Sequence, residues 1–349
     1  MSDPQTQPLV TLLTPVYNGE SYIRECIESV LSQTHPNWEY FIINNCSTDR
    51  SLEVAQEYAS RDPRIQIVNN SRFLRVIANH NAAMRMVSPT SKYCKVVFAD
   101  DWLFPECLEK MVALADKNPR VGIVSSYRLF GNQLSLGGLP YHISTLSGRE
   151  ICRASLLNEM YLFGTATSLL IRSDLVRARN PFYNEFNLHA DTEVCYELLK
   201  TCDFGFVHQV LTFTRAQQGT LTSYSRSRRT FLPGFLGDLT KFGPYYLEPA
   251  ELQQAVGEHL EIYYRYLGKS VFHRRGNEFW AFHRQKLKEL GFPMSRIRVA
   301  RKAVRRTVDV VLGLNHWPYL FLKRLWQSLG GKAKPIVSES AVNDPTKVA

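Results

Sequence analysis

The chain has 349 residues, of which 44% are hydrophobic and 21% charged, and its formal net charge is +10. This composition is typical of a globular protein with one large domain, or one domain and an extension. The longest uncharged run of the basic C-terminal segment, residues 310–322, has 13 residues. A transmembrane helix needs roughly 20 apolar residues, so this composition excludes a membrane span there.

The cysteines and the N-terminus indicate a cellular compartment. Seven cysteines without CxxC spacing predict free thiols in a reducing environment and argue against a disulfide framework or a zinc site. The polar start "MSDPQTQP" is not typical of a signal peptide. We therefore expect a cytoplasmic protein.

The first 126 residues alternate between strand and helix patterns. Predicted strands cover residues 9–18, 38–44, 65–69, 94–98 and 121–126. Predicted helices follow them around residues 22–31, 47–59, 79–87 and 105–117. This alternation is typical of an α/β fold whose mainly parallel sheet has helices on both faces.

Polar residues end three of these strands. Tyr17, Asn45 and the pair Asp100-Asp101 follow apolar runs. Because ligands of such sheets bind at the carboxyl ends of the strands, we expect all of them at one edge. The absence of GxGxxG after the first strand argues against a dinucleotide oxidoreductase.

The alternation weakens after residue 130. Residues 164–175 predict a strand and turn, and residues 189–207 predict a helix that begins near Asp191 and ends before Gly205. We predict three segments: a catalytic domain over 1–225, a helical basic extension over 226–331, and a disordered tail over 332–349. The charge is concentrated in the extension, since residues 296–334 hold ten Lys or Arg and one acid, a local charge of +9.

Five pieces of the chain, taken together, resemble family 2 glycosyltransferases of the GT-A fold. They are, in order, "TPVYNGESYIRECIESVLSQT", "FIINNCSTDRSLEVA", "ANHNAAMRMV", "KVVFADDWLFPECLEKMV" and "HADTEVCYELL". The resemblance covers roughly residues 8–215. It implies a Rossmann-like domain that moves a sugar from a nucleotide-diphosphate sugar, with inversion at the anomeric carbon.

The resemblance also implies a metal site at the double aspartate. Asp101 would contact Mg²⁺ or Mn²⁺ directly, and Asp100 would contact the ribose or support the metal ligands. A divalent cation neutralises the diphosphate leaving group, and both ions prefer oxygen ligands. The alternative is a solvated turn that caps the next helix.

Further donor contacts are implied at Pro15, Tyr17, Asn45 and Asn81. Tyr17 matches an aromatic residue that stacks on the base, whereas the alternative is a tyrosine packed in the core. Asn45 stands where relatives have an aspartate that accepts a hydrogen bond from the base. An amide both donates and accepts, so the identity of the base stays open.

Asp191 matches the carboxylate that acts as general base on the acceptor hydroxyl. Its neighbours His189 and Glu193 are alternatives for that role. Relatives often carry a histidine two residues beyond the arginine that matches Arg215. Here that position is Gln217, a poor metal ligand. Either the metal is held mainly by Asp101 and the phosphates, or Arg215 and Thr220 bind the diphosphate. The remaining alternative is a surface loop.

The expected acceptor is a glycan or a lipid-linked saccharide of bacterial cell-envelope polysaccharide biosynthesis. Residues 296–330 combine basic residues, an apolar stripe and aromatic residues, so they predict a peripheral contact with the anionic inner face of the cell membrane. The alternative for this stretch is a packed helix with a solvated basic face. A catalytically inactive homologue, or a protein that binds nucleotide-sugars or nucleic acid, is the competing functional class, although no nucleic-acid module is present and no nucleic-acid partner is expected.

Overall fold

The computed structural model describes residues 7–216, 225, 228–273 and 275–311, with side chains up to residue 308. The chain divides into two compact units, Met1–Leu260 with Gln285–Phe292, and Glu261–Arg284 with Pro293–Ala349. The domain limits at residues 225 and 331 stay predictions, and the predicted tail over 332–349 lies outside the described residues.

One sheet organises the first unit. Its strands are β1 (Val10–Val16), β2 (Trp38–Asn44), β3 (Ile65–Asn69), β4 (Tyr93–Val96), β5 (Trp102–Leu103), β6 (Val121–Phe130), β7 (Gln133–Ser135), β8 (Thr145–Leu146), β9 (Leu170–Arg172) and β10 (Asp203–Thr214). Along the sheet the order is β3-β2-β1-β4-β9-β6-β10-β5, while β7 pairs with β6 and β8 with β10.

The long strands of this sheet run in one direction. Strands β3, β2, β1 and β4 pair in parallel, as do β6 and β10. The short β9 is antiparallel to both β4 and β6, so it joins the two parallel groups without changing their common direction. All six long strands therefore end at the same edge.

Helices cover both faces of the sheet. They are α1 (Ile23–Leu31), α2 (Ser51–Ala59), α3 (Val76–Met84), α4 (Cys107–Lys117), α5 (Gly148–Leu156), α6 (Ser173–Arg177), α7 (Ala190–Leu198) and α8 (Phe231–Tyr246). Successive strand residues face opposite sides, so Leu12 packs with α1, α2 and α4, whereas Leu13 packs with α3, α5, α7 and α8. The predicted α/β class with flanking helices is confirmed.

The predicted helix over 189–207 is wrong at its C-terminal end. Helix α7 ends at Leu198, and β10 begins at Asp203, where it pairs with Val121 of β6. Pairing with β6 extends from Asp203 to Thr214, with three register shifts, and this long-range pairing favours a strand over a continued helix.

The C-terminal part of the described chain is helical, as predicted. It comprises α9 (Pro249–Val271), α10 (Asn277–Glu289) and α11 (Arg296–Val311). In the second unit, Tyr263 and His283 are fully buried and joined by a hydrogen bond of 2.6 Å. Gly268 lets α9 approach α11 closely, because a Cβ there would lie 2.6 Å from the Cβ of Lys302. In the part of the chain that the structure describes, every helix is too short or too polar to cross a bilayer.

Candidate active site

The double aspartate lies on a segment that crosses the carboxyl edge of the sheet. The chain leaves β4 inside the sheet and must pass the ends of β9, β6 and β10 before it pairs with β10 as β5. A turn in which the Asp101 amide donates to the Phe98 carbonyl at 2.9 Å shapes this crossing. The two carboxyl groups are thereby delivered to the edge where the long strands end.

Asp101 is the more buried of the pair, with 2% of its surface exposed. Its carboxylate accepts hydrogen bonds from the Arg215 amide at 3.1 Å and the Thr214 hydroxyl at 3.4 Å, and the Thr167 hydroxyl also bonds to it. Burial, with repulsion from Asp100, raises the pKa of Asp101 to about 7. A buried carboxyl with a raised pKa beside a second acid gains stability from a bound cation.

Asp100 is partly buried, and burial raises the pKa of its carboxyl, while Arg215 opposes that rise. The Arg215 guanidinium donates to the Asp100 carbonyl at 3.2 Å and forms a 2.6 Å ion pair with Glu25. It also lies 4.4 Å from the ring centre of Tyr22. Arg215 would therefore have to leave Glu25 to bind a diphosphate, and its predicted donor role stays a prediction.

Asp191 lies in the first turn of α7, with a partly exposed carboxyl that accepts from the Thr192 amide at 2.9 Å. Burial raises the pKa of Asp191, and the neighbouring His189 opposes the rise. A carboxyl with a raised pKa at an open sheet edge has the properties of a general base. Its role as the base stays a prediction.

Arg128 connects the two acidic positions and was missed by the sequence analysis. Burial raises the pKa of both Asp101 and Asp191, and the charge of the partly buried Arg128 opposes that rise at each carboxyl group. Its Nε atom donates to the Ser135 hydroxyl of β7 at 3.2 Å, which fixes the side chain. The charge of one arginine therefore acts on both carboxylates, although they lie 90 residues apart in sequence.

The two alternatives for the base have structural partners. Glu193 is 8% exposed and accepts from Asn184, from Asn187 at 2.7 Å and from Lys241 at 2.6 Å. These contacts lower the pKa of Glu193 despite its burial, so it is a weak proton acceptor. His189 bonds to the Thr230 hydroxyl at 3.1 Å.

Helix α8 packs directly against the helix that carries Asp191. Besides the Lys241–Glu193 ion pair, the Tyr246 hydroxyl donates to the Tyr196 carbonyl at 2.5 Å. Gly234 allows the approach, since a Cβ there would lie 2.6 Å from the ring of His189. Asp238 on the same helix is 6% exposed, and burial and the charges of Glu193 and Asp191 raise its pKa to about 8.

Asn45 is 2% exposed, and its amide group is engaged by the chain itself. Its nitrogen donates to the Leu74 carbonyl at 2.8 Å, and its oxygen accepts from the Leu74 amide and the Asn70 side chain, both at 2.9 Å. Asn70 also donates to Asn79 at 2.8 Å. The amide thus holds the loop between β3 and α3, and its predicted base contact stays a prediction.

Tyr17 is outside the core, with 49% of its surface exposed, so the alternative of a packed core tyrosine is wrong. Its ring meets that of Phe73 edge to face, with centres 4.8 Å apart, and Phe73 is 56% exposed. Pro15 is buried in β1, in register with Ile43 of β2. Two exposed aromatic rings at a strand end suit a planar base, yet the stacking role is still a prediction.

Asn81 is buried in α3 and braces the segment that precedes α7. Its amide nitrogen donates to the Tyr183 carbonyl at 2.9 Å and to Glu185 at 3.1 Å, while its oxygen accepts from the Tyr183 amide at 2.7 Å. These bonds suit a residue that positions backbone, and its predicted substrate contact stays untested.

Asp100 and Asp101 supply the oxygen donors that Mg²⁺ and Mn²⁺ prefer. Among the described residues, no three His, Cys, Asp or Glu side chains form a cluster suited to a metal ion. Two carboxylates beside an open edge therefore fit a cation that also needs phosphate oxygens and water as ligands. Gln217 and Thr220 lie outside the described residues.

The model of glycosyl transferase family 2 matches residues 11–177, which include the strand ends and the double aspartate. Residues 11–177 are a family 2 glycosyltransferase domain. The predicted family, and the class of enzyme that it represents, are confirmed for this domain. Asp191 and Arg215 lie beyond the matched range.

Relatives of the glycosyltransferase domain are 30–34% identical to it over the aligned residues. An uncharacterized glycosyltransferase of Haemophilus influenzae is 30% identical over 187 residues, which are 51% of this chain and 56% of that protein. The putative glycosyltransferase EpsE of Bacillus subtilis is 33% identical over 38% of this chain and 47% of its own length. The putative teichuronic acid biosynthesis glycosyltransferase TuaG of B. subtilis is 34% identical over 30% and 41%. The chain thus spans about half the length of these relatives.

Solved structures share the GT-A fold of the glycosyltransferase domain. S. aureus TarS 1–349 in complex with UDP-GlcNAc has a TM-score of 0.60 at 15% identity, over 85% of this chain and 88% of that one. The mannosyltransferase PcManGT from Pyrobaculum calidifontis, in complex with GDP-Man and Mn²⁺, has a TM-score of 0.51 at 16% identity, over 93% and 89%.

Proposed function

We propose that the chain is a metal-assisted, inverting glycosyltransferase that uses a nucleotide-diphosphate sugar. The observation that carries this proposal is the position of Arg128, whose charge acts on both Asp101 and Asp191. A single in-line displacement requires one carboxylate that binds the metal and a second carboxylate that acts as the general base, both at the same edge of the sheet.

The acids and Arg128 have separate roles in this reaction. Asp101, supported by Asp100, would hold Mg²⁺ or Mn²⁺, which supplies the positive charge that lets a nucleoside diphosphate leave. Asp191 takes the proton of the acceptor hydroxyl as that oxygen attacks the anomeric carbon. Burial raises the pKa of Asp191, and the charges of His189 and Arg128 both oppose that rise and so favour the ionised carboxylate.

Helix α8 and Glu193 orient the base. The Lys241–Glu193 pair and the bond from Tyr246 to the Tyr196 carbonyl hold α7, and the N-terminal turn of α7 carries Asp191. A base must lie within hydrogen-bond reach of the proton that it removes, so the packing of this helix sets the rate as well as the stability.

The names of similar proteins support a nucleotide-sugar as the donor and polysaccharide biosynthesis as the pathway. TarS 1–349 has been solved with UDP-GlcNAc, PcManGT with GDP-Man and Mn²⁺, and TuaG is described as a teichuronic acid biosynthesis enzyme. For this chain we propose a role in bacterial cell-envelope polysaccharide synthesis, with a glycan or lipid-linked saccharide as acceptor. We further propose that it is cytoplasmic and peripheral on the inner membrane face through residues 296–330, of which 312–330 lie outside the described residues.

The test is a thermal-shift screen of the full chain with uridine and guanosine diphosphate, with and without Mn²⁺. A ligand that binds only the folded state raises the melting temperature. We expect one diphosphate to stabilise the parent in a Mn²⁺-dependent manner, and Asp101→Asn to lose that dependence. The matched control is Asp203→Asn at the opposite end of β10, which should behave as the parent.

Donor hydrolysis separates an active enzyme from the competing class, an inactive homologue. The assay follows release of nucleoside diphosphate from UDP-GlcNAc and GDP-mannose in the presence of Mn²⁺. Slow release of nucleoside diphosphate by the parent, which is lost in Asp191→Asn, would support a transferase. Binding without any release, from every donor tried, would support a homologue that only binds.

A further inference from the structure

Helix α11 has two apolar faces, and only one of them is packed. Val299 and Ala303 are each 8% exposed and form the buried face. Ile297 is 67% exposed, Val304 63% and Val308 45%, and their spacing of seven and four residues places them on one side of the helix. We call these three residues the apolar ridge. In the part of the chain that the structure describes, this second apolar face is therefore exposed.

Basic residues border the apolar ridge. Arg301 and Arg305 are exposed and lie beside the ridge on the helix surface, because they follow Ile297 by four and eight residues. Lys302 and Arg298 are used within the unit, since Lys302 pairs with Glu261 and Arg298 lies 4.1 Å from the ring centre of Tyr264. An exposed apolar strip with arginines at its side is typical of a helix that lies in a membrane interface.

A groove of about 490 Å³ continues from the ridge, within the range of small-molecule sites. Its apolar lining consists of Val271, Trp280, Met294, Val299, Ala300, Ala303 and Val304. Of the described residues that line it, Arg284 and Arg296 are the charged ones, and none is an acid. Since Val304 belongs to both features, the groove and the ridge form one continuous surface.

We propose that the apolar ridge, Arg301, Arg305 and this groove form a docking surface for an anionic lipid bilayer. The groove takes one acyl chain, and Arg284 and Arg296 pair with the phosphate of the same lipid. An amphiphile satisfies the apolar lining and the two guanidinium groups together, whereas a nucleic acid would leave the ridge exposed to water. The proposal extends the proposed function but does not depend on sugar transfer, so lipid binding and catalysis are measured separately.

The first test is co-sedimentation of the full chain with vesicles of phosphatidylcholine, alone or with about 30% phosphatidylglycerol. We expect strong binding to the anionic vesicles and only weak binding to the neutral ones, and about tenfold weaker binding to the anionic vesicles by the double variant Arg301→Gln/Arg305→Gln. The matched control is Arg61→Gln/Lys117→Gln, two exposed residues of the first unit, which removes the same charge and should bind as the parent. Equal loss in both double variants would overturn the docking surface.

Salt separates the contribution of the ridge from that of the arginines. At about 1 M salt the charge contribution is screened, so the parent should retain weak binding through apolar insertion. The variant Ile297→Ser/Val304→Ser should lose this salt-resistant fraction. Because both residues are exposed, the variant should melt with the parent, and equal salt-resistant binding by parent and variant would overturn the role of the ridge.

The groove is tested by quenching of Trp280 with lipids brominated in the acyl chain, and Trp280→Phe identifies the signal. Ala300→Phe fills the groove from an exposed position of α11, and Thr307→Phe is the matched control on the same helix, outside the groove. We expect quenching in the parent and in Thr307→Phe, and its loss in Ala300→Phe while vesicle binding persists. An unquenched Trp280 in the vesicle-bound parent would overturn the acyl-chain site.

Two other occupants have their own signatures. Binding of single-stranded RNA that Arg301→Gln/Arg305→Gln weakens, without any preference for anionic vesicles, would assign the surface to nucleic acid and overturn the proposal. A dimer in light scattering that Ile297→Ser/Val304→Ser dissociates would assign the ridge to a second copy of the chain and overturn it as well.

Discussion

The side-chain amide of Asn45 pairs with both backbone polar groups of Leu74, as a neighbouring strand would. The nitrogen donates to the carbonyl at 2.8 Å, and the oxygen accepts from the amide at 2.9 Å. A carboxylate can make only the second of these bonds. An asparagine therefore fits this position better than the aspartate expected from the family resemblance, because it bonds to both backbone groups of the loop at Leu74.

Asn45→Asp should destabilise the protein although it restores the residue usual in relatives. It places a buried carboxylate against the Leu74 carbonyl, and an unsatisfied or repelled buried group costs about 1–3 kcal/mol. Loosening of the loop should also weaken nucleoside diphosphate binding, since Phe73 lies on it. Urea unfolding and titration calorimetry measure the two effects, with Asn132→Asp in an exposed turn as control. Unchanged stability with tighter binding of uridine diphosphate would mean that Asn45 faces the base.

Asp191→Asn should leave donor binding near normal and lower turnover by about 10²–10⁴-fold, the typical contribution of a positioned base. The comparison is Glu193→Gln, which loses its ion pair with Lys241 and should reduce stability more than turnover. Steady-state kinetics and thermal unfolding of both variants separate the roles. Retention of more than half the parental rate in Asp191→Asn would assign the base to another residue.

Arg128→Gln should shift the acidic limb of the pH–rate profile to higher pH. Arg128 lowers the pKa of Asp101 and of Asp191, so its removal raises both values and fewer carboxylates are ionised at a given pH. We expect a rate loss of about tenfold or more at pH 7 and partial recovery in Arg128→Lys, which keeps the charge. The control is Arg120→Gln, just before the other end of β6. A slower enzyme with an unshifted limb would contradict the electrostatic role.

Asp238→Asn should stabilise the protein at alkaline pH and have little effect near pH 4. The native pKa of Asp238 is about 8, well above the unfolded value of about 3.9. Between these values the native state keeps a proton that the unfolded state has released, so the free energy of unfolding falls as pH rises and is constant above the native pKa. Asparagine stays neutral throughout. The gain should be on the order of 2 kcal/mol or more at pH 8, measured by urea unfolding at several pH values. A constant difference between parent and variant from pH 4 to pH 8 would show that Asp238 is already ionised in the fold.

Local patterns predicted the elements that depend on neighbouring residues. The apolar run before Asp100 and the helical period after Asp191 located the strand end and the helix start, because both are properties of a short stretch of chain. The carboxyl edge of a parallel sheet then predicted that distant strand ends share a site.

The features that sequence analysis missed depend on which strands are neighbours. Arg128 lies beyond the predicted end of its strand at residue 126, and β6 continues to Phe130 because β10 and β7 pair with it there. The end of α7 at Leu198 likewise depends on the pairing of β10 with β6. A polar residue near the end of a long apolar run was the available signal for Arg128.

Lys95 is a core residue whose partners likewise could not be predicted from the sequence. It lies within an apolar strand, is 1% exposed, and donates to the carbonyls of Thr167 at 2.8 Å and Leu169 at 3.3 Å. These carbonyls belong to a segment more than 70 residues away, so the sequence does not identify the partners of this lysine. The bond from Lys95 fixes the backbone of Thr167, whose hydroxyl bonds to Asp101.

The short antiparallel strand β9 makes the sheet a suitable position for joining segments of two related enzymes in a chimera. It meets β4 and β6 through only two residue pairs each, so a chimera joined after Val96 would keep every ladder of β1 to β4 and replace the half that carries Arg128 and the base. Several side chains bond across the junction and would need matching partners: Asn81 bonds to Tyr183, Lys95 donates to Thr167 and Leu169, and Glu25 pairs with Arg215. A graft that carries compatible residues at these positions would exchange the double aspartate, Arg128 and the base together, while the half with Tyr17 and Asn45 stays unchanged.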